Sequence, residues 1–400
     1  MKKTQVVLLM IFVVALSLRV GFMLFYDDGR MLLNRLYTAD EYSYDEVVLN
    51  FLNGKGLVTA GGLYARIGPV YPLFLSAVYS SFGRSFVAVR FVQIVVSALT
   101  CVIVYLIGRE LYDKKTGLAS ACVSAVYYPF IQQPVYLLTE VVFSFLLALS
   151  ILLFVRYYNT RKDLPLFGAS ALLGIAALCR GYIIVYAIVL ALWMGTIFGW
   201  KARETMRSIS ILFFGIAIIL APWTVRNYRI YHAFIPLTVD GGRLLYVGNN
   251  PAATGGTAGR TAHFIDQFYP NDVGDLGSLE ADRIMLGRAL SFMKSNPRKT
   301  ILLMGRKFVN MWRPYYSDAR PINKIIMGLS YIPLAILSAL GAVMAFFLDW
   351  KKALLLCGLI FTEIFVHLIS IAEIRYRYPV EPYLILFAMF FLLNFRKKMA

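Results

Sequence analysis

The stretch TADEYSYDEVVLNFLNGKG, residues 38–56, decides how the rest of the chain is interpreted. It follows the first long apolar run and carries four carboxylates, Asp40, Glu41, Asp45 and Glu46. Its apolar residues recur at spacings of three and four, which predicts a short amphipathic helix on a membrane surface. Thr38 precedes Glu41 in the order of a capping box, so the helix is predicted to begin near Ala39 and end at Gly54.

Asp40 and Glu41 stand at the amino-terminal tip of this predicted helix, where the helix dipole favours ionised carboxylates. An ionised carboxylate can act as a general base, so both residues are candidate catalytic groups. Carboxylate oxygens also attract hard cations, and the pair is therefore a candidate site for a divalent cation, Mg²⁺ or Mn²⁺. The alternative is an acidic loop that is merely hydrated at the membrane surface.

The composition predicts a polytopic membrane protein. Of 400 residues, 59% are hydrophobic and only 16% are charged, and the mean hydropathy is +0.67, whereas soluble domains contain about 45–50% apolar residues. The formal net charge of +18 favours membrane lipids and lipid phosphates as partners. Nucleic acid is disfavoured because the cations are scattered between apolar runs. The four cysteines lie in or beside apolar runs without paired spacing, as buried hydrophobic residues do.

Ten apolar runs approach the length of about 20 residues that a helix needs to cross a bilayer. They are residues 5–26, 85–108, 116–132, 137–155, 164–179, 183–200, 208–224, 325–348, 353–372 and 379–395. The first lacks a small-residue cleavage site, so we expect it to be retained. The loops richest in cations alternate with the others, so the positive-inside rule places both termini in the cytoplasm. The chain is predicted to be one membrane domain, 1–400, with two long outward segments, 27–84 and 225–324.

The predicted outer side gathers polar residues that suit a phosphate-bearing lipid. Arg66 precedes a second predicted surface helix, and Glu140 opens the fourth span, where a carboxylate is costly and therefore a functional candidate. Arginine-lined pockets bind lipid phosphates. The candidate substrate-binding residues are Arg66, Glu140, Arg180, Arg226, Arg306, Lys307, Arg375 and Arg377.

Structural roles are the alternative for several of these polar residues. Glu140 could instead pair with an arginine such as Arg90 and hold two spans together, and interfacial arginines can serve as anchors. Glu363 and His367 are four residues apart in the ninth predicted span and share a helix face. We expect them to satisfy each other or Arg19 rather than to bind a metal, because two ligands alone make a weak site.

Motifs spread from Asp40 to Tyr383 together carry a family resemblance. They are ADEYSYDEVVLNFLNGKG, RIGPVYPLFL, VRFVQ, IGREL, YLLTE, PWTVRNYRIYHAFIPL, GGRLLYVGNNPAATG and RYRYPVEPY. In order and spacing the chain resembles bacterial membrane glycosyltransferases of the GT-C fold, the group that includes the protein O-mannosyltransferases and the aminoarabinose transferase of lipid A. The resemblance implies an all-α polytopic membrane protein with a bundle of about ten transmembrane helices. Amphipathic juxtamembrane helices would form its first outer loop, beside a small outer cap.

The resemblance also implies a function. Such an enzyme would move a hexosyl or pentosyl group from a polyprenyl-phosphate donor to an acceptor glycan, lipid or protein. The reaction would take place at the outer face of a bacterial inner membrane. In that family an acidic residue of the first outer loop is the base, and Asp40, beside Glu41, stands at the matching position. Glu140 matches a family glutamate, and Arg375 and Arg377 match arginines that hold the carrier phosphate. The short cap departs from the family, so the acceptor is not assigned.

These residues suit a single inverting displacement, with Asp40 as base and arginines stabilising the departing lipid phosphate. A retaining route, with Glu41 or Glu140 as a second carboxylate, stays open. One competing interpretation is a secondary transporter, although such proteins place their binding groups near the midplane. Another is a non-catalytic subunit that binds the lipid carrier.

Overall fold

The computed structural model describes residues 3–25, 36–59, 61–256, 278–316 and 319–398, and every regular element in these ranges is a helix. Three short 3-10 helices, Gln133–Val135, Gly181–Val185 and Ile374–Val380, connect the α-helices. The α-helices are α1 (Lys3–Phe25), α2 (Ala39–Leu52), α3 (Val70–Phe82), α4 (Phe86–Leu111), α5 (Lys114–Val126), α6 (Tyr128–Gln132), α7 (Glu140–Thr160), α8 (Asp163–Cys179), α9 (Tyr186–Phe198), α10 (Ala202–Tyr231), α11 (Gly241–Gly248), α12 (Leu279–Ser295), α13 (Pro297–Trp312), α14 (Pro321–Ile369) and α15 (Glu381–Lys398).

The predicted all-α membrane bundle is confirmed. Within the described residues, seven helical segments are long and apolar enough to cross a membrane. One of them, α14, contains a non-helical residue at Asp349 that divides its 49 residues into two helical segments. Because of this break and of the shorter α5 and α8, each of the ten predicted apolar runs coincides with helical sequence.

The two juxtamembrane helices of the first predicted loop are α2 and α3. The capping box of α2 forms as predicted, because Thr38 Oγ1 accepts from the Glu41 N–H and the Glu41 carboxylate accepts from the Thr38 N–H. Asp45 joins α2 to the following elements by accepting from the Tyr79 hydroxyl at 2.7 Å and from Arg84 Nη2 at 2.6 Å. Residues 27–35 and 60 of the predicted segment lie outside the described residues.

Small residues allow close packing inside the bundle. A Cβ at Gly215 of α10 would lie 2.7 Å from Ser170 Cβ of α8, so these helices approach closely only because glycine stands there. Arg19 of α1 is fully buried, and it donates to Ser97 Oγ of α4 and to main-chain carbonyls of α5. This intramembrane cation is therefore satisfied by the bundle itself.

The cap consists of α11, α12 and α13, and α12 matches the helix predicted near 279–295. The remainder of the predicted cap at 257–277 lies outside the described residues. The cap packs closely against the carboxyl end of α14, because a Cβ at Gly248 would lie 1.8 Å from the carbonyl oxygen of Ser370. Five helix ends lie together near this contact: the carboxyl ends of α8 and α14, and the amino ends of α2, α7 and α15. We call this the site end of the bundle.

Candidate active site

Glu41 fixes the tip of α2 against the chain that leads into α7. Its Oε2 accepts from the N–H groups of Tyr37 and Thr38, each at 2.7 Å, and its Oε1 accepts from the Leu137 N–H at 2.8 Å. The side chain is fully buried. Both oxygens are therefore filled by main-chain donors, and service as a base or a metal ligand would break these bonds. This geometry favours a positioning role for Glu41 over its predicted roles as a base and a metal ligand.

Asp40 occupies the position before Glu41 and remains accessible. Its Oδ2 lies 2.8 Å from Nη1 of Arg375, and the two side chains are 51% and 23% exposed, respectively. Arg375 Nε also donates to Glu373 Oε2 at 2.9 Å. The structure thus brings together the carboxylate from the first loop and one guanidinium from the last loop.

A second ion pair lies deeper at the site end. Glu140, the first residue of α7, is 1% exposed, and its Oε1 lies 3.4 Å from Nη1 of Arg180, which follows α8. The partner of Glu140 is thus Arg180, whereas Arg90 Nε donates to the Val135 carbonyl. The guanidinium of Arg180 faces aromatic rings, with centroid distances of 5.4 to 5.9 Å, those of Phe143, Tyr182 and Tyr376.

One aromatic ring connects the two ion pairs. The Tyr376 centroid is 5.4 Å from the guanidinium carbon of Arg180 and 5.4 Å from that of Arg375. The ring also stacks on His367 at 4.5 Å with an interplanar angle of 16°. His367 Nε2 in turn lies 3.1 Å from Glu363 Oε1, so these two residues pair with each other, while Glu363 Oε2 has no hydrogen-bond partner among the described residues. One face of the Tyr376 ring is therefore covered by His367, which pairs with the buried Glu363.

Sequence reasoning missed the tyrosines of this site. Tyr182 donates from its hydroxyl to Glu363 Oε1 at 2.8 Å. Tyr44 lies one helical turn after Asp40, and burial, together with the charges of Asp40 and Glu140, raises its pKa above the ordinary value. In the sequence, Tyr44 belongs to the apolar residues that predicted the amphipathic helix. Because Tyr44 is four residues after Asp40, their spacing already indicated that the two share a helix face.

Arg377 does not belong to this arrangement. A 3-10 helix has three residues per turn, so residues two apart point about 120° away from each other. Arg377 is fully buried, donates from Nε to Glu381 Oε1 at 2.8 Å, and donates to the Met311 and Arg313 carbonyls. Its guanidinium also covers the ring of Tyr331. The structure therefore assigns Arg377 to packing between α13, α14 and α15.

The other predicted cations are also separate from the two ion pairs. Arg226 donates to the main-chain carbonyls of Leu57 and Tyr64, at 2.9 and 2.8 Å, and so ties α10 to the loop before α3. Arg306 is exposed on α13. Arg66 is half-buried, and no described residue forms an ion pair with it.

Lys307 holds the cap on the bundle. Its buried Nζ donates to Asn249 Oδ1 at 3.1 Å and to the Ile369 carbonyl at 3.2 Å. Burial lowers the pKa of Lys307 to about 7. A lysine that is enclosed by neutral acceptors and used for packing is a poor candidate for binding a carrier phosphate.

Asp40 and Glu41, the predicted ligands of a divalent cation, have other partners in this structure. The oxygens of Glu41 are filled, and Asp40 pairs with Arg375. In the part of the chain that the structure describes, no group of three or more His, Cys, Asp or Glu side chains is arranged to hold a metal ion.

Comparison with known proteins agrees with this architecture. Residues 67–225 match the family model described as dolichyl-phosphate-mannose-protein mannosyltransferase. An uncharacterized protein of Aquifex aeolicus (strain VF5) is 26% identical over 152 residues, which are 37% of this chain and 30% of that protein.

Solved structures share the fold at low identity. The oligosaccharyltransferase AglB from Archaeoglobus fulgidus, in complex with an inhibitory peptide and a dolichol-phosphate, is similar with a TM-score of 0.64 and 15% identity. The match covers 99% of this chain and 51% of that chain, so this protein spans about half of AglB. ArnT from Cupriavidus metallidurans, bound to undecaprenyl phosphate, gives a TM-score of 0.49 at 12% identity over 95% of this chain and 78% of that one. The family model and the AglB likeness confirm the predicted resemblance to the GT-C fold.

Proposed function

We propose that this protein is a glycosyltransferase that moves a sugar from a polyprenyl-phosphate donor to an acceptor hydroxyl at the outer face of the membrane. The observation that carries the proposal is the contact between Asp40 and Arg375 at the site end. It puts a proton acceptor beside a phosphate-binding guanidinium. The proposal is supported by the family description and by the dolichol-phosphate that the AglB structure contains.

The charges of the site require an exchange of partners when the donor binds. Asp40, Glu140 and Glu373 face the guanidiniums of Arg180 and Arg375, so carboxylates exceed cations by one. A lipid phosphate that forms a bidentate pair with Arg375 would therefore compete with a carboxylate. Displacing Asp40 is cheap, because a half-exposed ion pair contributes on the order of 1 kcal/mol or less. A phosphate can form a bidentate pair with arginine, and it releases Asp40 to accept a hydrogen bond.

The reaction then follows from the positions of these groups. The acceptor oxygen forms a bond to the anomeric carbon of the sugar as the bond from that carbon to the phosphate oxygen breaks. The leaving phosphate keeps the electron pair and is stabilised by Arg375. Asp40 takes the proton of the acceptor hydroxyl. A single displacement inverts the anomeric centre, and a retaining route would have to use Glu140, because the oxygens of Glu41 are filled.

The test compares two carboxylate variants on the same helix. Asp40→Asn keeps the size of the side chain but removes the base, and we expect transfer from a radiolabelled polyprenyl-phosphate sugar to fall by about 10²–10⁴-fold. Binding of the sugar-free carrier phosphate should persist, because Arg375 remains. Glu46→Gln on α2 is the matched control and should transfer at the normal rate. Full activity in Asp40→Asn would contradict the proposal.

Two alternative functions, a secondary transporter and a non-catalytic carrier-binding subunit, would give different results. Proton-coupled solute uptake in proteoliposomes would indicate a transporter instead. A carrier-binding subunit would tolerate Asp40→Asn but fail when Arg375 is neutralised.

The proposed outer-face orientation needs a separate experiment. Tyr42 is 59% exposed beside the site, whereas Trp200 is 62% exposed between α9 and α10, at the opposite end of the bundle. In a background carrying Cys122→Ser, which removes an exposed native thiol, Tyr42→Cys and Trp200→Cys would be treated with a membrane-impermeant maleimide in intact cells. Labelling of the first variant only is expected, and labelling of Trp200→Cys only would reverse the orientation.

A further inference from the structure

The deeper ion pair at the site end has unused hydrogen-bonding capacity. Glu140 Oε2 and Arg180 Nη1 are buried, and neither has a hydrogen-bond partner among the described residues. The 3.4 Å between Nη1 and Glu140 Oε1 satisfies an ion-pair distance but not hydrogen-bond geometry. One acceptor and one donor are thus unsatisfied side by side.

Among the described residues eleven buried side-chain atoms lack a partner, and only in the pair of Glu140 and Arg180 do an unsatisfied charged donor and an unsatisfied charged acceptor belong to one ion pair. Leaving a buried donor or acceptor without a partner costs about 1–3 kcal/mol, and more when the group is charged. Two adjacent cases therefore call for an explanation, and a ligand that supplies both missing bonds is the simplest one. The neighbouring Asp40 and Arg375, which are accessible, show where such a ligand would enter.

The charge of the pair selects what it can bind. Glu140 and Arg180 neutralise each other, so the pair offers no net attraction to an anion. A phosphate placed about 5 Å from both groups would gain from Arg180 about what it loses to Glu140, about 3 kcal/mol each at an effective dielectric of about 20. A hydroxyl group suits the pair better, because it can donate to Glu140 Oε2 and accept from Arg180 Nη1 at once.

The surroundings of Arg180 fit the same ligand. Phe143, Tyr182 and Tyr376 present rings around the guanidinium, which leaves a mixed aromatic and polar surface. Tyr376 also contacts Arg375, so the deeper pair and the proposed phosphate position adjoin the same ring. A sugar attached to the phosphate would therefore lie close to Glu140 and Arg180.

The geometry points to Glu140 and Arg180 as a subsite for the hydroxyl groups of an uncharged sugar, separate from the phosphate position at Arg375. This inference rests on the proposed function and names its substrate class. The transferred group is then a neutral hexose or pentose rather than a uronate or an amino sugar. A charged sugar would gain no net attraction from this neutral pair and would lose part of its hydration there, whereas hydroxyl groups can use both unsatisfied atoms.

The inference is tested by binding with three probes in detergent. They are undecaprenyl phosphate without sugar, undecaprenyl phosphate carrying a neutral hexose, and undecaprenyl phosphate carrying a hexuronate. The wild-type protein should bind the neutral-hexose probe more tightly than the other two. In Glu140→Gln, affinity for the neutral-hexose probe should fall about tenfold, while affinity for the sugar-free probe stays within about twofold. The preference should also move toward the hexuronate, because Arg180 has lost its counter-charge.

Two further variants distinguish a general loss of folding, an incorrect sugar subsite and an incorrect phosphate position. Glu381→Gln also changes a buried, ion-paired carboxylate near the site end, and it controls for general loss of folding. Equal weakening of the sugar-free and neutral-hexose probes in Glu140→Gln, or a wild-type preference for the hexuronate, would overturn the subsite. If Arg375→Gln leaves sugar-free binding intact, the phosphate position itself is wrong and the proposed function fails independently.

Discussion

Asp40 and Arg375 lie near opposite ends of the sequence, yet Oδ2 of the first and Nη1 of the second are 2.8 Å apart. The contact joins the amino tip of α2 to the 3-10 helix before α15. In the proposed reaction it is a resting contact, which the donor phosphate replaces.

The first prediction is that these two residues affect carrier binding in opposite directions. Arg375→Gln should weaken binding of sugar-free undecaprenyl phosphate about tenfold or more, because a charge-assisted bidentate contact is lost. Asp40→Asn should leave that affinity unchanged or increase it, because the competitor for Arg375 is removed. Titration of both purified variants measures the difference. Equal weakening by the two changes would contradict the exchange of partners.

The second prediction separates Arg377 from the site. Arg377→Met leaves the buried Glu381 without its cation and should destabilise the protein by about 3–5 kcal/mol. Adding Glu381→Gln should restore much of the loss, since the uncompensated charge disappears. Thermal unfolding in detergent checks both variants. An Arg377→Met protein of normal stability that no longer binds the carrier would show instead that Arg377 acts in the site.

The third prediction concerns pH. Burial lowers the pKa of Lys307 from 10.5 to about 7, so between these values the unfolded chain binds a proton that the folded protein does not. Stability should therefore rise as the pH increases from about 7 toward 10, with a slope approaching about 1.4 kcal/mol per pH unit from this group. Below pH 7 this pH-dependent gain is absent. Thermal unfolding of wild type and Lys307→Met between pH 6.5 and 9.5 isolates the effect, and identical pH profiles would refute it.

The fourth prediction uses two glycines of the cap. A Cβ at Gly248 would meet the Ser370 carbonyl oxygen at 1.8 Å, whereas a Cβ at Gly305 meets nothing within 4 Å. Gly248→Ala should lower the melting temperature and weaken carrier binding, because Ser370 leads into the segment that carries Arg375. Gly305→Ala should be neutral or stabilising by up to about 1 kcal/mol, since alanine favours the helix. Comparable melting temperatures for the two variants would argue against this close approach.

Much of the architecture could be predicted from local sequence. Each of the ten runs located by hydropathy coincides with helix, whereas α11 and α13 were not predicted. The Thr38–Glu41 spacing located the capping box and the start of α2. The long α14 was predicted as two runs, and the structure breaks it at Asp349 between them. These features depend on residues close in sequence, which is why periodicity and end signals suffice.

The side-chain arrangement of the site could be predicted only in part. The predicted topology placed four residues on the same side of the membrane, Asp40, Arg180, Arg375 and Arg377. Topology does not predict the direction in which each side chain points. Arg377 faces its own packing partners because of the 3-10 geometry between it and Arg375. Lys307 and Arg226 were predicted as binding residues, and their main-chain partners come from distant segments that no local pattern reveals.

The bonds of Glu41 bear on how such a protein tolerates change. The groups that hold its carboxylate are the N–H groups of Tyr37, Thr38 and Leu137, not their side chains. Any residue except proline supplies that donor. The hydrogen bonds at positions 37 and 137 are therefore independent of the side chain, and changes there act on Asp40 only through packing, since Leu137 is fully buried and Tyr37 packs on Tyr136. Shortening Glu41 to aspartate would instead release the tip of α2 directly.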